Sequence, residues 1–284
     1  MSQLKKLASQ TAIYGLSTIL GRFLNYLLVP LHTRVFGTAD YGVVSELYAY
    51  VSFFIVVLTY GMETTFFRFS QDEEKRDKVF PTAFVSIGIS SIIFMLCMGA
   101  FAQPIANSIR YPNHPEYIII FSLSLGLDAI ASIPFALLRQ QSRPVKFAIV
   151  KNINIFINII FNLYFLMLCP YMQRESNISL PFYNETIGVG YVFISNLAAS
   201  IVTLPLLSKE ILYIKKGFDT VLWWKMIAYG LPLLIVGMGG MVNETLDRAI
   251  MKYLLAAGER TMSQVGIYGA NYKLSILMGL FIQA

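Results

Sequence analysis

Apolar stretches of about 20 residues, each long enough as a helix to cross a hydrocarbon core about 30 Å thick, recur along the whole sequence. They fall at Gln10 to Val35, Asp40 to Phe67, Val79 to Ala102, Tyr117 to Leu138, Phe147 to Leu168, Ile187 to Leu207, Trp223 to Leu246 and Val265 to Ala284. The fold class they imply is all-α, a polytopic membrane protein with about eight transmembrane helices. Charged residues make up 13% of the chain, about half the share that a water-soluble domain carries. At about 35 residues per span and connection, the 284 residues are used up, with no room for a folded extramembrane domain.

The connecting segments test this reading, because cytoplasmic loops hold an excess of Lys and Arg. One side collects Lys5, Lys6, Arg68, Lys75, Arg76, Lys78, Arg139, Arg143, Lys146, Lys151, Lys209, Lys215, Lys216 and Lys225. The other collects Arg34, Arg110, Arg174, Arg248, Lys252 and Arg260. A missed or invented span would swap the side of every later loop and erase this bias. The expected orientation has a cytoplasmic N-terminus in the inner (cytoplasmic) membrane, with the first span uncleaved because it is too long for a signal peptide.

The net charge of +6 is spread over loops rather than gathered into a patch, which excludes a nucleic-acid partner. Cys97 and Cys169 form no CxxC pair, and His32 and His114 have no second ligand at metal-binding spacing. No metal, no cofactor and no nucleotide are expected; the sequence has no GxxxxGK[ST] phosphate loop. The segment Lys209 to Lys225 mixes basic residues with Ile211, Leu212, Ile214 and Phe218, as a surface-lying cytoplasmic linker helix would. There is also an internal echo. Tyr14-Gly15-Leu16 recurs as Tyr229-Gly230-Leu231, and Tyr41-Gly42-Val43 is echoed by Val265-Gly266-Ile267. Six intervening spans return the second copy in the same orientation, as parallel repeats require.

Several segments carry a resemblance in a fixed order: Tyr14-Gly15 through Leu20-Gly21-Arg22, Arg34-Val-Phe-Gly37 with Asp40-Tyr-Gly42, and Tyr60-Gly-Met-Glu-Thr-Thr-Phe-Phe-Arg68. Ile133-Pro-Phe-Ala-Leu-Leu-Arg139 with Arg143-Pro144, Tyr229-Gly-Leu-Pro232, Asp247-Arg248, and Gly266-Ile-Tyr268 with Tyr272-Lys273 follow. The chain resembles the polysaccharide transporter (Wzx-like flippase) branch of the multidrug/oligosaccharidyl-lipid/polysaccharide exporter superfamily. The resemblance implies two bundles of six helices around a cavity that opens alternately to each face. It further implies a lipid-linked (polyprenyl-pyrophosphate) oligosaccharide as cargo for surface polysaccharide or O-antigen biosynthesis. Implied partners are membrane lipids and the polysaccharide polymerase and chain-length machinery. Against that plan, residues 1–208 are expected to form a complete six-helix bundle, 209–222 an amphipathic cytoplasmic linker, and 223–284 the start of a second bundle. The expected chain is thus a fragment of a protein of about twelve to fourteen spans, ending inside an apolar run.

Ionisable residues inside the spans are the candidate site, because a basic group at mid-membrane costs about 2.5–3.5 kcal/mol on an insertion scale. Arg22 lies near the middle of the first span on a stripe with Tyr14, Thr18 and Asn25. It is read either as half of a structural ion pair or as a docking point for a pyrophosphate. Asp128, flanked by Ser124 and Ser132, is its expected counter-ion, or a proton carrier. Lys151, Asn154, Asn158 and Asn162 form a polar ladder, read as interhelical hydrogen bonding or as a wall for sugar hydroxyls. Pro232, Gly237, Gly239 and Gly240 should loosen the seventh span ahead of Asn243, Glu244, Asp247 and Arg248, with Glu244 and Arg248 spaced as an i, i+4 pair. That polar group reads equally as the place where the helix leaves the bilayer.

Glu46 is the expected cavity residue of the second span, and Lys273 is expected to snorkel from the eighth. The candidate substrate-binding set is therefore Arg22, Asn25, Glu46, Asn154, Asn158, Asn162 and Arg248. Asp128, Glu244 and Asp247 are the candidate ion-coupling or counter-ion groups. The expected function is flipping of a lipid-linked oligosaccharide, not an enzymatic one. The alternatives are cation-coupled multidrug-type efflux, a membrane-embedded glycosyltransferase or polymerase of the same pathway, and a non-transporting scaffold.

Overall fold

The computed structural model describes residues 15, 19–21, 23–73, 76–176, 180–212, 217–255 and 259–283, and among these there are helices and no strands. In chain order the helices are α1 (Leu28–Val35), α2 (Thr38–Thr59), α3 (Met62–Phe69), α4 (Arg76–Ala100), α5 (Ala102–Ser108), α6 (Pro115–Gln140), α7 (Pro144–Leu163), α8 (Cys169–Ser176), α9 (Gly190–Leu206), α10 (Ser208–Ile211), α11 (Thr220–Leu254) and α12 (Glu259–Gln283). Tyr164–Leu168 is a π-helical turn between α7 and α8.

Among the described residues, 5 helical stretches are long and apolar enough to cross a membrane: Thr38–Phe69, Arg76–Ala100, Pro115–Gln140, Pro144–Ser176 and Thr220–Leu254. The apolar helix α9 is shorter, and α12 follows α11 as a helix of 25 residues. The chain is an all-α polytopic membrane protein. Of the expected first span, residues 10–14, 16–18 and 22 lie outside the described residues, and α1 is its last part.

The seventh span differs from expectation. It was expected to end at Leu246, with Arg248 and Lys252 in the loop beyond, but α11 runs unbroken through Pro232 and the glycines to Leu254. No Gly or Pro interrupts residues 241–255, and the charges carried by these last turns find partners inside the protein.

The described residues form two compact units, one of segments 1–50, 151–199 and 246–284, the other of 51–150 and 200–245. In the second unit α4 packs along α6, and α3 lies against both. Phe54 meets the edges and faces of Phe94 and Phe121, and Gly126 leaves room for Met95 to press on the helix backbone. The break between α2 and α3 is at Gly61, whose φ of 68° suits glycine. A Cβ there would lie 2.9 Å from the Gly230 carbonyl oxygen, and one on Gly230 would lie 2.9 Å from that of Tyr60. Two residues that lack side chains thus let the start of α3 touch the backbone of α11.

Below that contact, α4 presents Lys78, Thr82 and Ser86 at successive turns of one face to the start of α11. Asp219 caps α11 by accepting the Leu222 N–H at 3.0 Å, and its other oxygen takes Lys78 Nζ at 2.9 Å. The Asp219 N–H donates to Thr82 Oγ1 at 3.2 Å, and Trp223 Nε1–H donates to Ser86 Oγ at 2.7 Å. Hydrogen bonding from the Leu222 N–H, then from the Lys78 ammonium, holds the Asp219 carboxyl below the usual carboxylate range. The folded chain therefore prefers the ionised form. This contribution is complete above the unfolded pKa of about 3.9 and is lost as pH falls through the lower folded value. Asp219→Asn keeps a capping oxygen without the charge. Its melting temperature should lie below the parent's near neutral pH and converge with it as pH falls below the lowered folded value. A gap that does not vary with pH would show that the charge contributes nothing.

In the first unit, α2 and α12 come together through small residues. A Cβ on Gly42 would lie 3.2 Å from the Gly266 nitrogen, and one on Gly266 would lie 2.9 Å from the Gly42 nitrogen. Each glycine also faces the carbonyl oxygen one turn back on the other helix, Gly42 that of Met262 and Gly266 that of Thr38. The contact is reciprocal, as in a two-fold pair. Ser45 opposite Gly269 continues it, and Thr38 Oγ1 meets Ser263 Oγ at 2.6 Å. The two echoed sequences, Tyr41-Gly42-Val43 and Val265-Gly266-Ile267, are thus the two halves of one seam.

Candidate functional site: a cationic and tyrosine-rich cluster in the first unit

Three helices of the first unit place their ionisable residues in one region. On α2, Tyr41 and Tyr48 stand two turns apart, and Glu46 and Tyr50 one turn apart. The last turns of α11 bring Asp247, Arg248 and Lys252, and α12 brings Tyr268, Tyr272 and Lys273. The seam permits this, since helices in backbone contact hold their flanking side chains close.

Glu46 is fully buried, and Lys252 is 5% exposed. Lys252 Nζ sits 3.0 Å from Glu46 Oε2 and 3.3 Å from Oε1, and the Tyr50 hydroxyl donates to Oε1 at 3.2 Å. The carboxylate is thereby neutralised and hydrogen bonded, the condition under which a buried charge is tolerated. Arg248 lies over the Tyr272 ring, 4.2 Å from its centroid, with Nε 3.6 Å from Asp247 Oδ1. Asp247 accepts a hydrogen bond from the Tyr268 hydroxyl. Lys273 Nζ stands 5.6 Å from the Tyr41 centroid and 5.7 Å from that of Tyr48, close enough to Arg248 to feel its charge. Cation and ring contacts of this kind contribute up to about 2 kcal/mol when desolvated.

Arg248, Lys252 and Lys273 face the carboxylates of Glu46 and Asp247, so this cluster carries an excess of positive charge. Arg248 and Lys252 each have a carboxylate partner, and Lys273 rests against the Tyr41 and Tyr48 rings, so the surplus charge is held on tyrosines as well as on acids.

A second polar group in the same unit centres on Asn162, which is fully buried. Its Nδ2 donates to the Asn158 carbonyl at 2.8 Å and to Asn158 Oδ1 at 3.0 Å, and its Oδ1 meets His32 Nε2 at 2.8 Å. The bond to His32 links α7 to α1, and the two to Asn158 stay within α7. Asn158 and Asn154 are half-buried.

Of the expected site residues, Glu46, Asp247 and Arg248 come together, and Asn154, Asn158 and Asn162 share their unit. Asn25, also in this unit, is exposed. Arg22, with Tyr14 and Thr18, lies outside the described residues. Asp128 and Glu244 belong to the other unit, where Asp128 accepts the Ser200 hydroxyl at 2.7 Å and Glu244 is exposed. Lys252 was expected in a loop and Lys273 at the interface, and the tyrosines were unassigned. Lys252 could have been found from its position one helical turn after Arg248, with nothing between them to stop a helix.

A family model described as polysaccharide biosynthesis protein matches residues 7–283. No curated protein and no solved structure matches the chain. A multi-pass helical chain with basic side chains buried among its spanning helices is thus matched over nearly its whole length, and it belongs to the polysaccharide biosynthesis protein family, that of the Wzx-like polysaccharide flippases and exporters.

Proposed function

We propose that the chain flips a lipid-linked, pyrophosphate-bearing oligosaccharide across the inner membrane by alternating access, with its N-terminus in the cytoplasm. The observation that carries this reading is Arg248, 8% exposed in a membrane-spanning helix and laid on Tyr272 beside Lys273. A guanidinium offers a planar fork of donors that fits a phosphate. In this reading Arg22 and Arg248 take the pyrophosphate, while Glu46 sets the position of Lys252. Asn25, Asn154, Asn158 and Asn162 face the saccharide, and Asp128, Glu244 and Asp247 balance charge or couple an ion. Residues 1–208 act as one bundle, 209–222 as the linker and 223–284 as the opening of the second bundle. Cargo arrives from, and passes to, the enzymes that assemble and polymerise the saccharide.

Cation-coupled efflux would need the expected cavity carboxylate Glu46 open to ion exchange, whereas Glu46 is bound by Lys252, which supports the saccharide reading.

In cells whose only copy carries Arg248→Ala or Arg22→Ala, lipid-linked oligosaccharide should accumulate on the cytoplasmic leaflet. Export should fall about ten-fold or more at unchanged protein level, with partial activity kept by Arg248→Lys. Normal export in both alanine variants would refute the reading.

A further inference from the structure

A cavity of about 470 Å³ opens in the first unit, apart from the cationic cluster, and Arg34, Arg174, Tyr183, Glu185 and Tyr191 are on its wall. Its construction is specific. The π-helical turn Tyr164–Leu168 interrupts a long helix and carries Phe165 and Leu166 to the cavity; such turns recur at functional sites. Phe165, Tyr191 and Tyr183 stack in a column, with centroids 4.4 Å and then 5.5 Å apart and ring planes within 17° and 15°. Tyr191 is buried in the middle, and Tyr183 ends the column half-exposed.

The loop ahead of α9 is fastened to this column. The Asn184 N–H donates to the Tyr191 hydroxyl at 2.6 Å, and that hydroxyl donates to the Phe182 carbonyl at 3.1 Å. Phe182 has a φ of 64°, in the left-handed region that a phenylalanine rarely adopts, so the loop is held in a shape that its own residues disfavour. Asn184 Oδ1 closes a turn by accepting the Thr186 N–H at 3.1 Å.

Arg34 at the end of α1 and Arg174 in α8 both line the cavity. Among the described residues neither is ion-paired, and Glu185 is the one carboxylate on the wall. Two guanidiniums, a flat ring face and an acceptor for hydroxyl groups are the parts needed to hold a sugar that bears a carboxylate. Arg forks donate to the carboxylate, Tyr183 takes the apolar face of the ring, and Glu185 accepts a hydrogen bond from a hydroxyl. We propose that this cavity is a second binding site, for a uronic-acid-type saccharide, separate from the one that moves the lipid-linked cargo.

The test is calorimetric titration of the purified full chain in lipid nanodiscs with trigalacturonate and with galactotriose, its neutral counterpart. Trigalacturonate should bind at least about ten-fold more tightly than galactotriose, and Arg34→Gln and Arg174→Gln should each weaken it by about ten-fold. Tyr183→Ala should weaken both sugars alike. Both arginines are exposed, so an unchanged melting temperature will confirm that the variants fold, and Arg34→Lys should keep part of the affinity. Equal affinity for the two sugars, or no loss in the arginine variants, overturns the proposal. So does inorganic phosphate competing as strongly as trigalacturonate, which would mark a general anion site. Binding of phosphatidylglycerol that the arginine variants lose, with no sugar binding, would mark a lipid headgroup site and also overturns it. Because no export is measured, the result stands or falls independently of the flipping reading.

Discussion

Adding a single methyl group at Gly42 or at Gly266 is expected to destabilise the membrane bundle by about 1–3 kcal/mol or more, as overpacking against an unyielding neighbour does. The obstacle at each position is backbone of the facing helix, the Met262 carbonyl in one case and the Thr38 carbonyl in the other. Backbone cannot swing aside as a side-chain tip can, so α2 and α12 must separate along their length. The same substitution at Gly239 is the control. Nothing lies within 4 Å of a Cβ there, and Gly→Ala in a helix interior gains about 1 kcal/mol in propensity. Thermal unfolding in detergent should show Gly42→Ala and Gly266→Ala melting below the parent and Gly239→Ala at or above it. The proposed seam fails if the three variants melt together.

The second large effect concerns the buried pair. Removing one partner leaves the other charged, desolvated and without its counter-charge, which costs about 3–5 kcal/mol, whereas replacing both by apolar groups of similar size is often close to neutral. Lys252→Met and Glu46→Leu should therefore each lower stability severely, and the double variant should recover most of the loss. A double-mutant cycle in chemical denaturant measures this as a coupling of at least about 2 kcal/mol. Strict additivity of the two substitutions would mean that the carboxylate and the ammonium do not depend on each other. Tyr50→Phe, which removes the hydroxyl bonded to Glu46, should cost only about 1 kcal/mol.

The helical membrane architecture was legible in the sequence because hydrocarbon imposes one length and one polarity on every spanning helix. The expected spans beginning at Asp40, Val79 and Tyr117 start within a few residues of α2, α4 and α6. The site was legible only in part. Glu46 and Arg248 stand out as charges in apolar surroundings, but what neutralises them depends on contacts between helices remote in sequence. Lys252 lies 206 residues from Glu46, and no local pattern couples the two. The end of α11 was misplaced for the same reason. A run of Asn, Glu, Asp and Arg reads as the exit from a bilayer unless a partner on another helix is known to receive it. The π-helical turn, too, leaves no mark in composition, since Tyr164–Leu168 is as apolar as the helix it interrupts.

The meeting of α2 with α12 has a mechanical corollary. At Gly42 and Gly266 that contact is bare main chain against bare main chain, so at those points neither helix grips the other with interlocked side chains. Parting them calls for little rotamer rearrangement, and they can close again onto the same fit. The joint behaves as a door against a flat jamb, fastened by the hydroxyl latch between Thr38 and Ser263 and by Lys273 laid on the rings of Tyr41 and Tyr48.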